Sequence, residues 1–278
     1  MKYGDLHLHT TYSDGTDSPD TVVRNCAMLG MNAIAITDHD TTAGYTEAKK
    51  EGDKWGIKII PGVEVSTRHY HILGLNFDIS NESFQKFLAD TREVQKMISA
   101  ERVKKLQSIG IPITMEKVEA FFPKSRLGKY NVFCTMITDS ECKNFLGGEL
   151  TNRKPYEVFQ QYMGKGGIAG NVSVDEEIYS DRAIKEIHKA GGIAIIAHPF
   201  KEVKDIEELD KLREKRIDGL EEQPNNGEKN KPFVEYALKN ELIITRGSDF
   251  HGASFPRALL NRDNAFRTNN LEKFFEKD

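Results

Sequence analysis

"GDLHLHTTYSDG", residues Gly4 to Gly15, alternates Leu6 and Leu8 with His7 and His9 before turning at Ser13, Asp14 and Gly15. A period of two reads as a strand, which puts the leucines on one face and both imidazoles on the other. Ser18 and Pro19 then have the form of a helix start, Val22, Val23, Cys26 and Ala27 keep helical spacing, and Gly30 supplies a stop. "AIAIT", Ala33 to Thr37, is a short buried-strand run ending at Asp38-His39-Asp40. The rhythm continues with "TTAGYTEAKKEGDKWG" as helix, "IKIIPGVEVS" as a strand ending near Glu64, and "HILGLNF" opening on His71. Strand alternating with helix predicts an α/β fold with a parallel sheet, open or closed into a barrel.

From Asn81 the pattern changes. Phe84, Phe87, Leu88, Val94, Ile98, Val103 and Leu106 keep one face of a long helix apolar until Gly110 and Pro112. Further helical patches and the glycine-rich "GKGGIAGN" turn lead to about Val174, so residues 81–175 read as a mainly helical insertion between 1–80 and 176–278. The alternation resumes with "GGIAIIAHP", "DGLEE" and "LIITRGSDFHG" as strands. His9, His39, Glu64, His198, Asp249 and His251 all fall at or just after strand carboxyl ends, the rim where α/β folds place their chemistry.

Composition narrows the function classes. Across 278 residues, 39 basic side chains face 43 acidic ones, a formal charge of -4, so nothing marks a polycation that coats nucleic acid or holds duplex DNA stably. No apolar run approaches the ~20 residues that cross a bilayer, and Met1-Lys2 leads into a strand rather than a signal peptide. The expected address is the cytoplasm. Cys26, Cys134 and Cys142 are odd in number and scattered, which predicts reduced thiols rather than a disulfide framework or thiolate zinc site.

His7 and His9, two apart on a strand, can reach one ion. A lone strand histidine is more often a satisfied core residue, but "TDHD", "GVEVS", "AHP" and "SDFH" repeat the theme at four other strand ends. A carboxylate and imidazole mix without thiolate suits manganese, iron or zinc, with magnesium admissible. Elsewhere His69 and His188 read as surface residues.

These elements, "DLHLHTTYSDG", "AITDHD", "PGVEVS", "HILGL", "AIIAHP" and "GSDFHG", in this order, resemble the PHP superfamily, named for polymerase and histidinol phosphatase. The resemblance implies a distorted (β/α)7 barrel with two to three divalent metal ions at the strand carboxyl ends. It assigns His7, His9, Glu64 and Asp249 to a first ion, Asp14, His39 and His251 to a second, and Glu64, His71 and His198 to a third, with Glu64 bridging. Asp14, His198, Asp249 and His251 would carry the reaction. Asp5 and Asp38 are expected behind them, orienting imidazoles, although for Asp38 a helix N-terminal charge is an equal alternative.

Three divalent ions against Asp14, Glu64 and Asp249 leave the site at roughly +3, which favours a small anionic phosphate ester attacked by a metal-bridging hydroxide. The opening, the insertion after "HILGL" and the "GSDFHG" close look most like the bacterial group that dephosphorylates nucleoside 3′,5′-bisphosphates and trims short RNA from its 5′ end. A histidinol-phosphate phosphatase or another phosphatase of the superfamily is the alternative; a C–N hydrolase and a non-catalytic metal-binding module are weaker ones. One departure stands out: where that group carries an Arg-Pro-His element, this chain reads "GKYN", Gly128 to Asn131. Lys129 keeps a positive charge without the guanidinium fork, and Asn131 replaces the histidine. Arg102, Arg126, Lys129 and Arg257 are the candidate phosphate contacts, each weighed against a plain solvated charge; for Arg102, on a helix with an apolar opposite face, exposure is the simpler expectation.

Overall fold

β1 (Gly4–Leu8) is buried along its whole length and opens a seven-stranded sheet in which the strands lie in chain order. The computed structural model describes residues 3–223 and 227–252; Arg257 therefore lies outside the described residues. After β1 come α1 (Pro19–Met28), β2 (Ala33–Ile36), α2 (Tyr45–Trp55), β3 (Lys58–Ser66), β4 (His71–Leu75) and the long α3 (Glu82–Gln107). Five helices follow: α4 (Met115–Phe121), α5 (Lys129–Thr138), α6 (Ser140–Leu146), α7 (Gly148–Asn152) and α8 (Pro155–Met163). The alternation resumes with α9 (Ser180–Lys189), β5 (Ile193–Ile196), α10 (Pro199–Glu202), α11 (Glu207–Glu214), β6 (Gly219–Glu222), α12 (Gly227–Lys239) and β7 (Ile243–Arg246).

The sheet is an almost closed barrel. β1, β2 and β3 pair in parallel, as do β5, β6 and β7. The segment after β7 meets β1, where Asp249 N–H donates to His7 C=O at 3.0 Å and His9 N–H to Phe250 C=O at 2.9 Å. The expectation of a parallel sheet fails at one strand. β4 runs antiparallel to both neighbours, with Ser66 opposite His71 and Ile72 opposite Ile196. The cause is the short connection from Ser66 to His71: a parallel crossover needs a dozen or more residues, whereas a few suffice for a hairpin.

Leu6 and Leu8 also part company. Leu6 packs inside the barrel with Ala35, Ile60, Leu73 and Ile195, while Leu8 packs outside it with Val22, Cys26 and Ile34. Asp5 pairs with Ile34, yet Leu8, three residues on, pairs with Ile36, only two on. The extra residue in β1 is a bulge that shifts the alternation, a device common beside active sites.

The chain divides into two compact units, Met1–Thr91 with Ile178–Asp278, and Arg92–Glu177. The second has its own core, built around Leu106, Ile113, Val118, Val132, Met136 and Met163. No helix among the described residues is long and apolar enough to cross a membrane.

Candidate metal centre

The barrel rim collects nine of the side chains expected there. His7 and His9 leave β1 with their Nε2 atoms 3.1 Å apart, and each lies 3.1 Å from Glu64 Oε2 and 3.5 Å from Asp249 Oδ1. Four ligand-type groups thus face one point. Glu64 reaches it from β3, held there because its N–H donates to Asp38 C=O and its own C=O accepts from Asp40 N–H at 2.9 Å. Asp40 Oδ1 in turn accepts from Ser66 N–H at 2.7 Å.

The other oxygen of Glu64 faces elsewhere. Oε1 lies 3.0 Å from His198 Nε2 and 3.2 Å from His71 Nδ1. A further group forms around Asp14, with His251 Nε2 at 3.4 Å, His9 Nδ1 at 3.6 Å and His39 Nε2 at 3.9 Å. Three sets therefore have ligand atoms within 4.8 Å of one another: His7, His9, Glu64 and Asp249; His9, Asp14, His39 and His251; and Glu64, His71 and His198. His9 touches two of them and Glu64 links two, so the sets form one connected cluster.

The local backbone is held in place for this. Asp249 and His198 have φ of 57° and 29°, in the left-handed region that side chains with a Cβ disfavour, so the surrounding fold holds both against a local cost. Gly247 lies so close to β1 that a Cβ there would overlap His7 Cβ and sit 2.7 Å from Glu221 Oε1.

Electrostatically the cluster is a mutual neutralisation. Burial raises the carboxyl pKa of Asp14, Glu64 and Asp249, but the cations around them override it: His251 and His39 for Asp14, His39 and His7 for Glu64, and Lys201 and His251 for Asp249 hold each well below the usual range. Burial opposes protonation of His7 and His9, yet Glu221 and Glu64 raise the first well above 6.5, and Asp249 and Glu64 raise the second to about 10. The metal-free cluster stores protons that cations would displace.

Asp5 and Asp38 sit behind the cluster, but neither orients an imidazole. Asp5 Oδ1 accepts from the backbone N–H of His7 and of Ser248, each at 3.1 Å, tying β1 to the end of β7. Asp38 accepts from Thr10 N–H at 2.7 Å and from the Thr10 and Ser13 hydroxyls at 2.6 Å, anchoring the loop that carries Asp14. The imidazole partner is Glu221, which sequence reading left inside "DGLEE" without a role. Its Oε1 accepts from His7 Nδ1 at 2.8 Å and its Oε2 from His198 N–H at 2.7 Å. With Nδ1–H committed to Glu221, His7 presents Nε2 as a lone-pair donor. Its position at a strand carboxyl end was the signal available for it.

Two further charged groups were also missed. Lys201 Nζ lies 2.6 Å from Asp249 Oδ2, and Glu202 bonds His71. His188, expected as a surface residue, is half-buried and pairs with Asp218 at 2.7 Å.

Arg102, Arg126 and Lys129 belong to the second unit. Arg102 is buried rather than exposed: its guanidinium donates to the Ala169 and Gly170 carbonyls, and burial together with nearby Arg126 lowers its pKa to about 10. It braces the glycine-rich turn. Arg126 lines a cleft with Arg92, Lys96 and Phe122. Lys129 opens α5, and fully buried Asn131 accepts from Gly128 N–H at 2.9 Å through Oδ1, so it closes the helix start.

A family model described as PHP domain matches residues 5–181. The chain belongs to the PHP domain family. A 5′-3′ exoribonuclease Rnm of Escherichia coli is 32% identical to this PHP chain over 265 residues, covering 89% of it and 84% of the relative. A 3′,5′-nucleoside bisphosphate phosphatase of Chromobacterium violaceum is 31% identical over 199 residues, covering 70% and 66%. A solved structure from Bifidobacterium adolescentis, described as a candidate metal-dependent phosphoesterase, superposes with TM-score 0.73 at 26% identity, covering 94% of this chain and 93% of that one. This PHP protein is an enzyme of the metal-dependent phosphoesterase class, a hydrolase.

The side chains suit divalent ions. Every donor in the three sets is imidazole or carboxylate, and none of Cys26, Cys134 and Cys142 takes part. His198 Nδ1 is buried without a hydrogen-bond partner, although the ring sits among carboxylates.

Proposed function

We propose that this PHP enzyme hydrolyses phosphate monoesters of nucleotides, with nucleoside 3′,5′-bisphosphates and the 5′ ends of short RNA as its substrates. The observation that carries the reading is the split of Glu64, one oxygen toward His7 and His9 and the other toward His71 and His198, with Asp14 and Asp249 on adjoining sets. One carboxylate serving two donor sets is the arrangement a multinuclear centre requires, and phosphoryl transfer gains most from several cations.

His7, His9, Glu64 and Asp249 would hold one ion, Asp14, His39 and His251 with a share of His9 a second, and Glu64, His71 and His198 a third. Manganese, iron or zinc fits this donor set, and magnesium is admissible. Divalent ions bound there lower the pKa of water and neutralise charge on phosphoryl oxygens, supplying nucleophile and electrophile together.

The chain's own groups do the rest. Glu221 keeps the proton on His7 Nδ1, so that ring offers Nε2. His251 Nδ1 donates to the Asp249 carbonyl at 2.8 Å, leaving its Nε2 turned to Asp14. Lys201 holds a fixed positive charge against Asp249 at the partly exposed edge of the cluster, where an anionic ester would arrive. Asp14, His198, Asp249 and His251 are the residues on which turnover depends most. Arg126, Lys129 and Arg257 remain candidates for holding the remainder of the substrate, whereas Arg102 is committed to the Ala169 and Gly170 carbonyls.

The test is release of phosphate from adenosine 3′,5′-bisphosphate and of mononucleotide from a 5′-phosphorylated oligoribonucleotide by metal-loaded protein. Asp249→Asn is expected to lower it by about 100-fold or more. Release from histidinol phosphate alone would move the assignment to the alternative phosphatase. No release from any phosphomonoester, with hydrolysis of a cyclic amide, would replace it with the C–N hydrolase.

A further inference from the structure

The third donor set, Glu64, His71 and His198, has the fewest ligand groups and a neighbour that nothing above uses. Glu202 ends the short helix α10, four residues after His198. Its Oε2 accepts from His71 N–H at 2.6 Å, which fixes the carboxylate by a main-chain bond on β4. Its other oxygen is thereby turned inward. Oε1 lies 3.2 Å from His71 Nδ1, the same separation as that atom has from Glu64 Oε1. It lies 3.7 Å from His198 Nδ1, the buried nitrogen that has no hydrogen-bond partner.

We propose that Glu202 supplies a fourth donor to this set, so that the third ion is held by two imidazoles and two carboxylates; the inference rests on the reading of the rim as a multinuclear metal centre. The geometry supports it in three ways. The 3.2 Å separation between Glu202 Oε1 and His71 Nδ1 is that of neighbouring ligands around an ion whose bonds are roughly 2.0–2.2 Å. The main-chain anchor holds Glu202 in place whether or not a cation is bound. A second carboxylate also matches the charge of a divalent ion shared through Glu64 and gives this set the same donor types and number as His7, His9, Glu64 and Asp249. A set richer in oxygen shifts preference toward manganese and iron.

The experiment counts ions. Wild-type protein, Glu202→Gln and His71→Ala are stripped with chelator and titrated with Mn²⁺, following bound metal by calorimetry and elemental analysis. The glutamine keeps a carbonyl oxygen to accept from His71 N–H and removes the charged donor. Glu202→Gln is expected to weaken one class of Mn²⁺ sites by about 10-fold or more, at least the cost of losing a group that only orients a metal ligand, and to leave the other classes unchanged as a control on folding. His71→Ala should weaken the same class, and the double variant should lose no further class. Unchanged affinity and stoichiometry in Glu202→Gln overturn the proposal while the metal-centre reading stands. Failure of wild-type protein to bind any divalent ion overturns both.

Discussion

His7 and Glu221, 214 positions apart in the chain, share a 2.8 Å hydrogen bond between two fully buried side chains. The bond exists because the barrel closes: β6 lies beside β7, and the segment after β7 pairs with β1. It sets the tautomer of the imidazole that faces Glu64 and Asp249, so a residue outside the three donor sets decides how one of their members binds.

Replacing that carboxylate should therefore be felt in metal affinity before it is felt in fold. Glu221→Gln is expected to weaken divalent-ion binding by about 10–100-fold, because the amide no longer demands the proton on His7 Nδ1. Isothermal titration against wild-type protein checks this; equal affinity would remove Glu221 from any metal role.

Metal uptake should release protons. Raised imidazole pKa values stabilise the metal-free fold fully below about 6.5, and that contribution is lost as pH climbs toward the folded value, about 10 for His9. Depressed carboxyl pKa values act in the opposite direction: they stabilise above the ordinary values of 3.8 and 4.5 and are lost as pH falls through the folded ones. The metal-free protein should thus lose melting temperature from pH 6.5 upward, while ion affinity rises across the same window. Adding Mn²⁺ at pH 7.5 in weak buffer should liberate about one or two protons per chain, read with an indicator dye.

Gly247→Ala tests the close approach behind His7. The new methyl would press on His7 Cβ and Glu221 Oε1, and the expected loss is about 1–3 kcal/mol of stability, measured by urea unfolding of the metal-free protein. A neutral result would mean that β7 can retreat from β1 at this point.

Asp38 separates a loop anchor from an imidazole partner. Asp38→Ala strands the Thr10 N–H and two hydroxyls, at an expected cost of about 2–4 kcal/mol, whereas Asp38→Asn keeps acceptor oxygen and should cost about half as much. Thermal melts of the metal-free variants distinguish the two. If Asn is as damaging as Ala, the charge rather than the anchoring is what matters.

Much of the rim was legible one residue at a time. His7, His9, His39, Glu64, His198, Asp249 and His251 stand where apolar strand patterns end, so their positions follow from local periodicity alone. Arg102 was misjudged for the matching reason. A guanidinium on the polar side of a helix looks solvated until another segment folds over it, here the turn at Ala169 and Gly170. Asn131 stands where the related group carries the histidine of its Arg-Pro-His element, and its contacts show a helix cap.

The sequence by itself determined the alternating α/β architecture, the metal-ligand types and their place at strand ends, because these depend on patterns within a dozen residues. Only the tertiary structure decided the bulge that splits Leu6 from Leu8 and the partners Glu221, Lys201 and Glu202. Those are contacts between segments far apart in the chain. An acidic residue in "DGLEE" or "PFKE" carries no local mark that separates a solvated charge from one held against a buried imidazole.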